Sequence, residues 1–236
     1  MNLFYAYRIE GESIAHLDEI ESRHCTKTLR KGIGDTIYFT NFSGATYLGK
    51  IIDVSKKRCR LKILDVVSIH AQTRYNIHIA IAPTKNINRL EWFLEKTTEL
   101  GIDAISLIQC QHSERKKIRI ERLNKIILAA AKQSLKNFLP ELSELTPFKE
   151  FIKNVKDQNK YIAHCNSENL PHLQEVIGKK DNNLILIGPE GDFSSNEIEY
   201  AKQNDFKEVS LGPSRLRTET AGIIACHTLH LTNTKT

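Results

Sequence analysis

The spacing of hydrophobic positions changes near residue 70. Before it, β-branched and aromatic residues come in short runs broken by Gly, Asn and Ser, as in "GDTIYFTNFSGATYLGKIIDVSKKRCRLKILDVV". That pattern predicts strands near 36–40, 46–54 and 58–66. The preceding stretch from Ser13 to Arg30, "SIAHLDEIESRHCTKTLR", reads as a short helix, which Gly32 and Gly34 then break. Several short strands with one helix predict a small barrel-like domain over residues 1–70. A boundary is expected between Ser68 and Tyr75, with a second domain over residues 75–236.

In that second part, apolar strands alternate with amphipathic helices. "NIHIAIAP" is a strand stopped by Pro83. "NRLEWFLEKTTELG" is a helix with Leu90, Phe93, Leu94 and Thr97 on one face and Gly101 as its C′ residue. "AISLIQC" is the next strand. "IERLNKIILAAAKQSLKNF" is a longer helix ending before Pro140, with Leu123, Ile127, Ala130 and Leu135 spaced to face a core. "YIAHC", "LILIG" and "EVSLG" follow as strands, and a last helix spans about 219–231. This alternation predicts a mostly parallel sheet covered by helices.

Composition narrows the class. Of the 236 residues, 40% are hydrophobic and 26% charged, as in ordinary globular proteins. No apolar run reaches the ~18 residues that span a bilayer, and the first residues do not resemble a signal peptide. A cytoplasmic protein without a membrane segment is expected. Cys25, Cys59, Cys110, Cys165 and Cys226 are scattered, as expected of reduced thiols, and no group has metal-site spacing, so no metal is expected. The net charge of +6 favours an anionic partner.

The chemistry concentrates in two strand-to-helix loops. The first, "GPEGD" from Gly188 to Asp192, has the glycines of a phosphate cradle but carries Glu190 and Asp192 and no Lys. It matches neither the P-loop nor the dinucleotide fingerprint. Ser194 and Glu197 form a capping box, so the helix N-terminus that a phosphate would use is already capped. The carboxylates suit a neutral or cationic ligand. The second loop, "LGPSRLRTETA", runs from Leu211 to Ala221, with Thr218 as the N-cap of the last helix and Arg215 and Arg217 at its mouth. Loops at the carboxyl ends of parallel strands form ligand pockets, and these two are expected to wall one.

"LIGPEGDFSSNEI" followed by "LGPSRLRTETA" resembles the C-terminal signature of the RsmE family, the 16S ribosomal RNA (uracil-N3) methyltransferases of the SPOUT superfamily. "EWFLEKTTELGID", "SERKKIRIERLNKIILAAAKQS" and "HCTKTLRKGIGD" resemble further segments of the family in the same order, so the likeness spans nearly the whole chain. Asp192 stands where the family commonly has a second Gly, and Ser214 and Arg215 stand where Arg and an aliphatic residue are common. The resemblance implies an α/β protein: a C-terminal trefoil-knotted SPOUT methyltransferase domain behind a small N-terminal PUA-like β-barrel that holds RNA. It implies bound S-adenosyl-L-methionine, whose sulfonium and uncharged adenosine fit acidic, glycine-containing loops. It also implies a homodimer acting on 16S ribosomal RNA within the small ribosomal subunit.

On this resemblance the cofactor-binding residues are Ile187, Gly188, Pro189, Glu190, Gly191, Leu211, Gly212, Leu216, Arg217, Thr218, Thr220 and Ala221. Uracil N3 carries a proton at neutral pH, so methylation needs a base and donors for the charge that spreads to O2 and O4. Arg217 is the candidate donor. Glu219 is either a base or a helix cap, and Gln133, with Ser134, is a candidate for positioning the base. His164 reads as a structural histidine. Candidate RNA contacts are Arg8, Lys27, Arg30, Lys31, Lys85, Arg89 and Arg115, with Lys116 and Lys117 beside the last and Arg58, Arg60 and Lys62 on one strand face; each cluster also reads as a solvated face. The competing functions are methylation at another RNA position, such as a ribose 2′-hydroxyl, and a non-catalytic RNA-binding protein.

Overall fold

Alternating buried and exposed positions draw the first part of the chain into a closed barrel. A computed structural model describes residues 2–11, 13–55, 58–71, 75–156, 159–167, 169–179 and 181–234. The chain forms two units, residues 1–72 with 131–139, and residues 73–130 with 140–236. Residues 72–74, within the boundary expected from the sequence, lie outside the described residues.

The first unit contains β1 (Leu3–Glu10), β2 (Ile14–Leu17), β3 (Thr36–Thr40), β4 (Ala45–Val54) and β5 (Cys59–Ile69), in barrel order β1-β2-β5-β4-β3. A parallel β1–β3 pairing closes the barrel. Phe4, Ala6, Leu17, Phe39, Ile51 and Leu61 fill it, and the Phe39 and Tyr47 rings stack at 5.1 Å. Along β5, Cys59 and Leu61 are buried while Arg60 and Lys62 are exposed, the two-residue period of a half-buried strand.

The helix expected over Ser13–Arg30 is shorter than its pattern. Ile14–Leu17 pairs with both β1 and β5 as β2. Only α1 (Glu19–Arg23) is α-helical, capped by Asp18, which accepts the Glu21 N–H at 2.8 Å. A π-helical turn over His24–Thr28 follows. Strand pairing on both sides outweighed local helix preference, because a strand at this position joins β1 to β5.

Residues 131–139 also belong to this unit. Asn137 accepts the Gly44 N–H at 3.0 Å through its carbonyl and the Thr46 hydroxyl at 3.1 Å through its side chain. Lys132 pairs with the buried carboxylate of Glu21, which also accepts the Tyr5 N–H at 3.1 Å.

The second unit is a parallel sheet. Its strands are β6 (Ile77–Ile81), β7 (Ala104–Gln109), β8 (Glu141–Pro147), β9 (Asn159–Ala163), β10 (Asn183–Ile187) and β11 (Lys207–Val209), in the order β11-β9-β10-β6-β7-β8. The helices are α2 (Ile87–Leu100), α3 (Ile120–Gln133), α4 (Phe148–Asn154), α5 (Leu173–Val176), α6 (Ser195–Lys202) and α7 (Thr218–Thr234). Central strands β6 and β10 are buried at every residue, as a sheet covered on both faces requires. Ile77, Ile79 and Ile81 join the core containing residues of α2, α3 and α7, while Ala80, Leu184 and Leu186 join the core containing residues of α4 and α6.

Leu90, Phe93, Leu94 and Thr97 of α2 are fully buried. The three apolar side chains contribute roughly 1.5–3 kcal/mol each by leaving water. Gly101, at φ +95°, ends the helix and donates to Thr97 and Thr98. Gly222 of α7 is where this packing is tightest: a Cβ there would lie 2.6 Å from the Phe93 ring. Helix α3 stops at Gln133, before the expected end. Leu123, Ile127 and Ala130 face the core, but Leu135 is 44% exposed and has φ +53°. The Lys136 N–H instead donates to the Ala131 carbonyl, closing the helix end where the chain returns to the first unit. Strand β8 and helices α4 and α5 are additions to the sequence reading. Among the described residues, no helix is long and apolar enough to cross a membrane.

Candidate active site

The carboxyl ends of β9, β10 and β11 open into one cavity of about 340 Å³, within the range of small-molecule sites. Its first wall is Ala163, His164 and Cys165, after β9. The second is Ile187, Gly188, Pro189, Glu190 and Asp192, after β10. The third comes after β11: Ser210, Leu211 and Gly212, then Ser214, Arg215, Leu216 and Arg217, and finally Thr218 and Ala221 at the start of α7. No Lys lines it.

The β10 loop is braced from three directions. The Lys85 backbone N–H, beyond β6, donates to Glu190 Oε1 at 2.9 Å. His112, beyond β7, approaches the carbonyls of Gly191 and Asp192 with Nδ1 at 3.1 and 3.0 Å. Both partners are acceptors, so that nitrogen carries the proton. Cys165, beyond β9, donates its N–H to Asp192 Oδ2 at 2.9 Å. Asp192 has φ +61°, in the left-handed region that glycine enters without strain and Asp tolerates. Its Oδ1 accepts the Phe193 N–H at 2.8 Å. The departure from the family pattern thus keeps a glycine-like backbone and adds a side-chain tie.

The capping box read from Ser194 and Glu197 is formed on both sides. Glu197 also accepts the Gln111 N–H at 2.8 Å, so the carboxylate that caps α6 anchors the β7 loop as well. In the β11 loop, Gly212 has φ +124°, and Ser210 Oγ accepts its N–H at 3.1 Å. A Cβ at Gly212 would meet nothing within 4 Å, so the backbone angle, not crowding, favours glycine there.

Ten of the twelve residues expected to hold a cofactor line this cavity; Gly191 and Thr220 do not. Gly191 packs behind the loop, where a Cβ would come within 3.1 Å of His112. Thr220 is turned away by the helical period of α7. Arg217 lines the cavity, is exposed, and has no ion-pair partner among the described residues; the same holds for Arg215.

Glu219 does not line the cavity. Its side chain is buried, with Oε1 3.7 Å from Arg89 Nε and Oε2 without a hydrogen-bond partner among the described residues. Gln133 ends α3 within the first unit and is not among the lining residues.

His164 is structural in its bonding and also borders the cavity. Its Nδ1 accepts the Asn166 N–H at 3.2 Å, and its Nε2 lies 3.1 Å from Glu208. Burial pushes the Glu208 carboxyl up, but Lys202 and His164 outweigh this and hold it below its ordinary value. The β9 wall, including His164 and Cys165, was missing from the sequence reading. "YIAHC" was legible as a strand, but only the order β11-β9-β10 places its end beside the two loops.

The expected RNA contacts divide by partner. Lys27, Arg30 and Lys31 follow α1 and make no ion pair with described residues. Arg8 pairs with Glu10 at 3.3 Å, and Lys85 with Glu114 at 2.8 Å. Arg89 faces Glu219, and Arg115 is turned onto backbone carbonyls. Among the described residues, no three His, Cys, Asp or Glu side chains gather as metal ligands would.

Known proteins share this architecture. Residues 71–230 match the RNA methyltransferase domain, and residues 17–64 match the RNA methyltransferase PUA domain. A crystal structure of a probable rRNA-methyltransferase from Porphyromonas gingivalis is 38% identical, with TM-score 0.91 over 99% of this chain and 98% of that one. A putative methyltransferase from Legionella pneumophila, solved with the bound cofactor SAM, is 26% identical, with TM-score 0.88 over 99% and 98%. The Ribosomal RNA small subunit methyltransferase E of Buchnera aphidicola subsp. Acyrthosiphon pisum is 28% identical over 87% of this chain and 83% of its own. With a PUA-like barrel, a parallel-sheet unit and these matches along its length, the chain belongs to the RsmE family of RNA methyltransferases.

Proposed function

We propose that the protein methylates N3 of a uridine in 16S ribosomal RNA, using S-adenosyl-L-methionine. The observation that carries this is the cavity itself: three loops with no lysine among their described lining residues, two of them acidic or glycine-containing, and Arg217, on the loop after β11, without an ion-pair partner among the described residues. When bound, S-adenosyl-L-methionine supplies an electrophilic methyl group on a cationic sulfonium. The residues fit such a ligand: Ile187, Leu211, Leu216 and Ala221 offer apolar surface for an adenosine, and the backbone around Gly188 and Gly212 offers polar groups. Glu190 and Asp192 would burden a phosphate but not a cation.

Arg217 stabilises the charge that develops on the uracil carbonyl oxygens when N3 loses its proton; in support, its charge is permanent and no carboxylate among the described residues pairs with it. Glu219 acts as support, with its burial and its approach to Arg89 holding the start of α7 to α2. Gln133 remains our candidate for orienting the base of the target uridine. The residues that hold RNA phosphates in the barrel unit are Lys27, Arg30 and Lys31, whose charges have no acidic partner among the described residues.

The knotted path of the C-terminal domain, the division at residues 70–75, a homodimer and a cytoplasmic location complete the proposal. Exposed Trp92 on α2 and Ile224 and Leu231 on α7 support the dimer. Nucleoside mass spectrometry after incubation with labelled S-adenosyl-L-methionine tests the reaction on free 16S RNA and on assembled small subunits. Labelled 3-methyluridine is expected, and the better substrate shows when the enzyme acts. Label on a ribose, or no label despite cofactor binding, would replace the proposed target or the activity.

A further inference from the structure

Away from the three-loop cavity, the second unit holds a basic hollow of about 480 Å³. It is built by the start of α2, the segment after β7 and the start of α3. Arg115, Lys117, Arg119 and Arg122 supply its charge, and Ile87, Ile118 and Leu123 its apolar surface. An adjoining hollow shares Arg115 and Lys117 and adds Lys85, Lys116 and one carboxylate, Glu114.

The charges are largely uncompensated. Arg122 pairs with Glu91 at 2.5 Å, and Lys85 with Glu114. Arg115 donates through Nε to the Thr84 carbonyl at 3.0 Å and through Nη2 to the Lys85 carbonyl at 2.5 Å. Those bonds fix the guanidinium but leave its charge. Lys117 and Arg119 are exposed and have no ion-pair partner among the described residues. Cations gathered round a concavity repel one another unless an anion enters. A solvated face would need neither the concavity nor the apolar surface within it.

We propose that this hollow receives a nucleotide flanking the methylated one in the RNA, with Lys117 and Arg119 on its phosphate and the apolar residues against its base. The inference deepens the RNA methylation reading and rests on it. Combined charge and apolar contact is how single-stranded RNA is held without reading its sequence. The hollow is also tied to the three-loop cavity. Arg115 holds the carbonyls of Thr84 and Lys85, and the Lys85 N–H holds Glu190 in the cavity wall. A phosphate seated here would therefore lean on the segment that braces the cavity.

The test is the salt dependence of binding to a short fluorescein-labelled single-stranded RNA, measured by anisotropy, with S-adenosyl-L-methionine affinity measured by calorimetry on the same proteins. The Lys117→Ala/Arg119→Ala variant removes two phosphate contacts, so the slope of log K against log salt should shrink by about 1.4. Cofactor affinity should be unchanged. A Lys153→Ala/Lys156→Ala control removes equal charge from exposed positions in and just after α4 and should leave the slope nearly as in the parent. An unchanged slope in the first variant, or equal losses in both, overturns the proposal. If the slope shrinks as expected but the parent protein transfers no methyl group to RNA, the hollow stands as an RNA site and the proposed reaction fails.

Discussion

The Lys85 backbone N–H donates to Glu190 Oε1 at 2.9 Å. A carboxylate in a glycine loop thus serves as a tie between the segment after β6 and the loop after β10. Glu190→Ala should weaken S-adenosyl-L-methionine binding roughly fivefold, the equivalent of about 1 kcal/mol for one exposed hydrogen bond. Glu190→Gln keeps an acceptor and should lose little. Calorimetry on both variants checks this; equal large losses would mean that the charge itself meets the ligand.

Asp192 combines a left-handed backbone with two backbone ties. Asp192→Ala should cost about 2 kcal/mol of stability, from the lost bonds together with the strained φ. Asp192→Gly should cost less, because it relieves the strain while losing the same bonds. Urea unfolding of the two variants should place Gly above Ala, and the reverse order would remove the backbone explanation.

Arg217 lines the cavity without an acidic partner among the described residues. Arg217→Ala should lower kcat by roughly 10²–10³-fold, the usual loss when one donor to a developing oxyanion is removed. Affinity for S-adenosyl-L-methionine should change much less. Single-turnover methylation beside cofactor titration separates the two, and parallel losses would make Arg217 a binding residue.

Lys202 and His164 hold the Glu208 carboxyl below its ordinary value. A depressed acid binds fewer protons folded than unfolded, so its contribution is complete above the unfolded pKa and disappears as pH falls through the folded one. Glu208→Gln should therefore lose stability relative to the parent at neutral pH, and the difference should shrink below about pH 4. Denaturant titrations from pH 7 downward would show the two curves converging; a constant gap would refute the electrostatic origin.

The Lys132–Glu21 pair lies within the first unit, although its partners come from α3 and α1. Lys132→Met leaves the buried Glu21 carboxylate with the Tyr5 N–H and should destabilise the fold by roughly 3 kcal/mol. Adding Glu21→Gln should recover part of the loss. Thermal unfolding of the single and double variants tests the coupling.

Features decided by near neighbours were legible in the sequence. The buried face of α2, the Gly101 stop and the Ser194–Glu197 capping box each depend on residues within a turn or two. The alternation of strands and helices gave away the parallel sheet for the same reason. Where two signals competed, tertiary pairing decided: Ile14–Leu17 joined the barrel instead of extending a helix, and Leu135 left the core face when α3 ended at Gln133. The two site loops could be found from their glycines, caps and charges, because those belong to each loop separately. Their third wall could not, since it depends on β9 lying between β10 and β11. Nor could the roles of Glu190 and Glu219, whose partners Lys85 and Arg89 are more than a hundred residues away. Local composition determines what each segment can form, whereas long-range packing determines which side chains are left free to act.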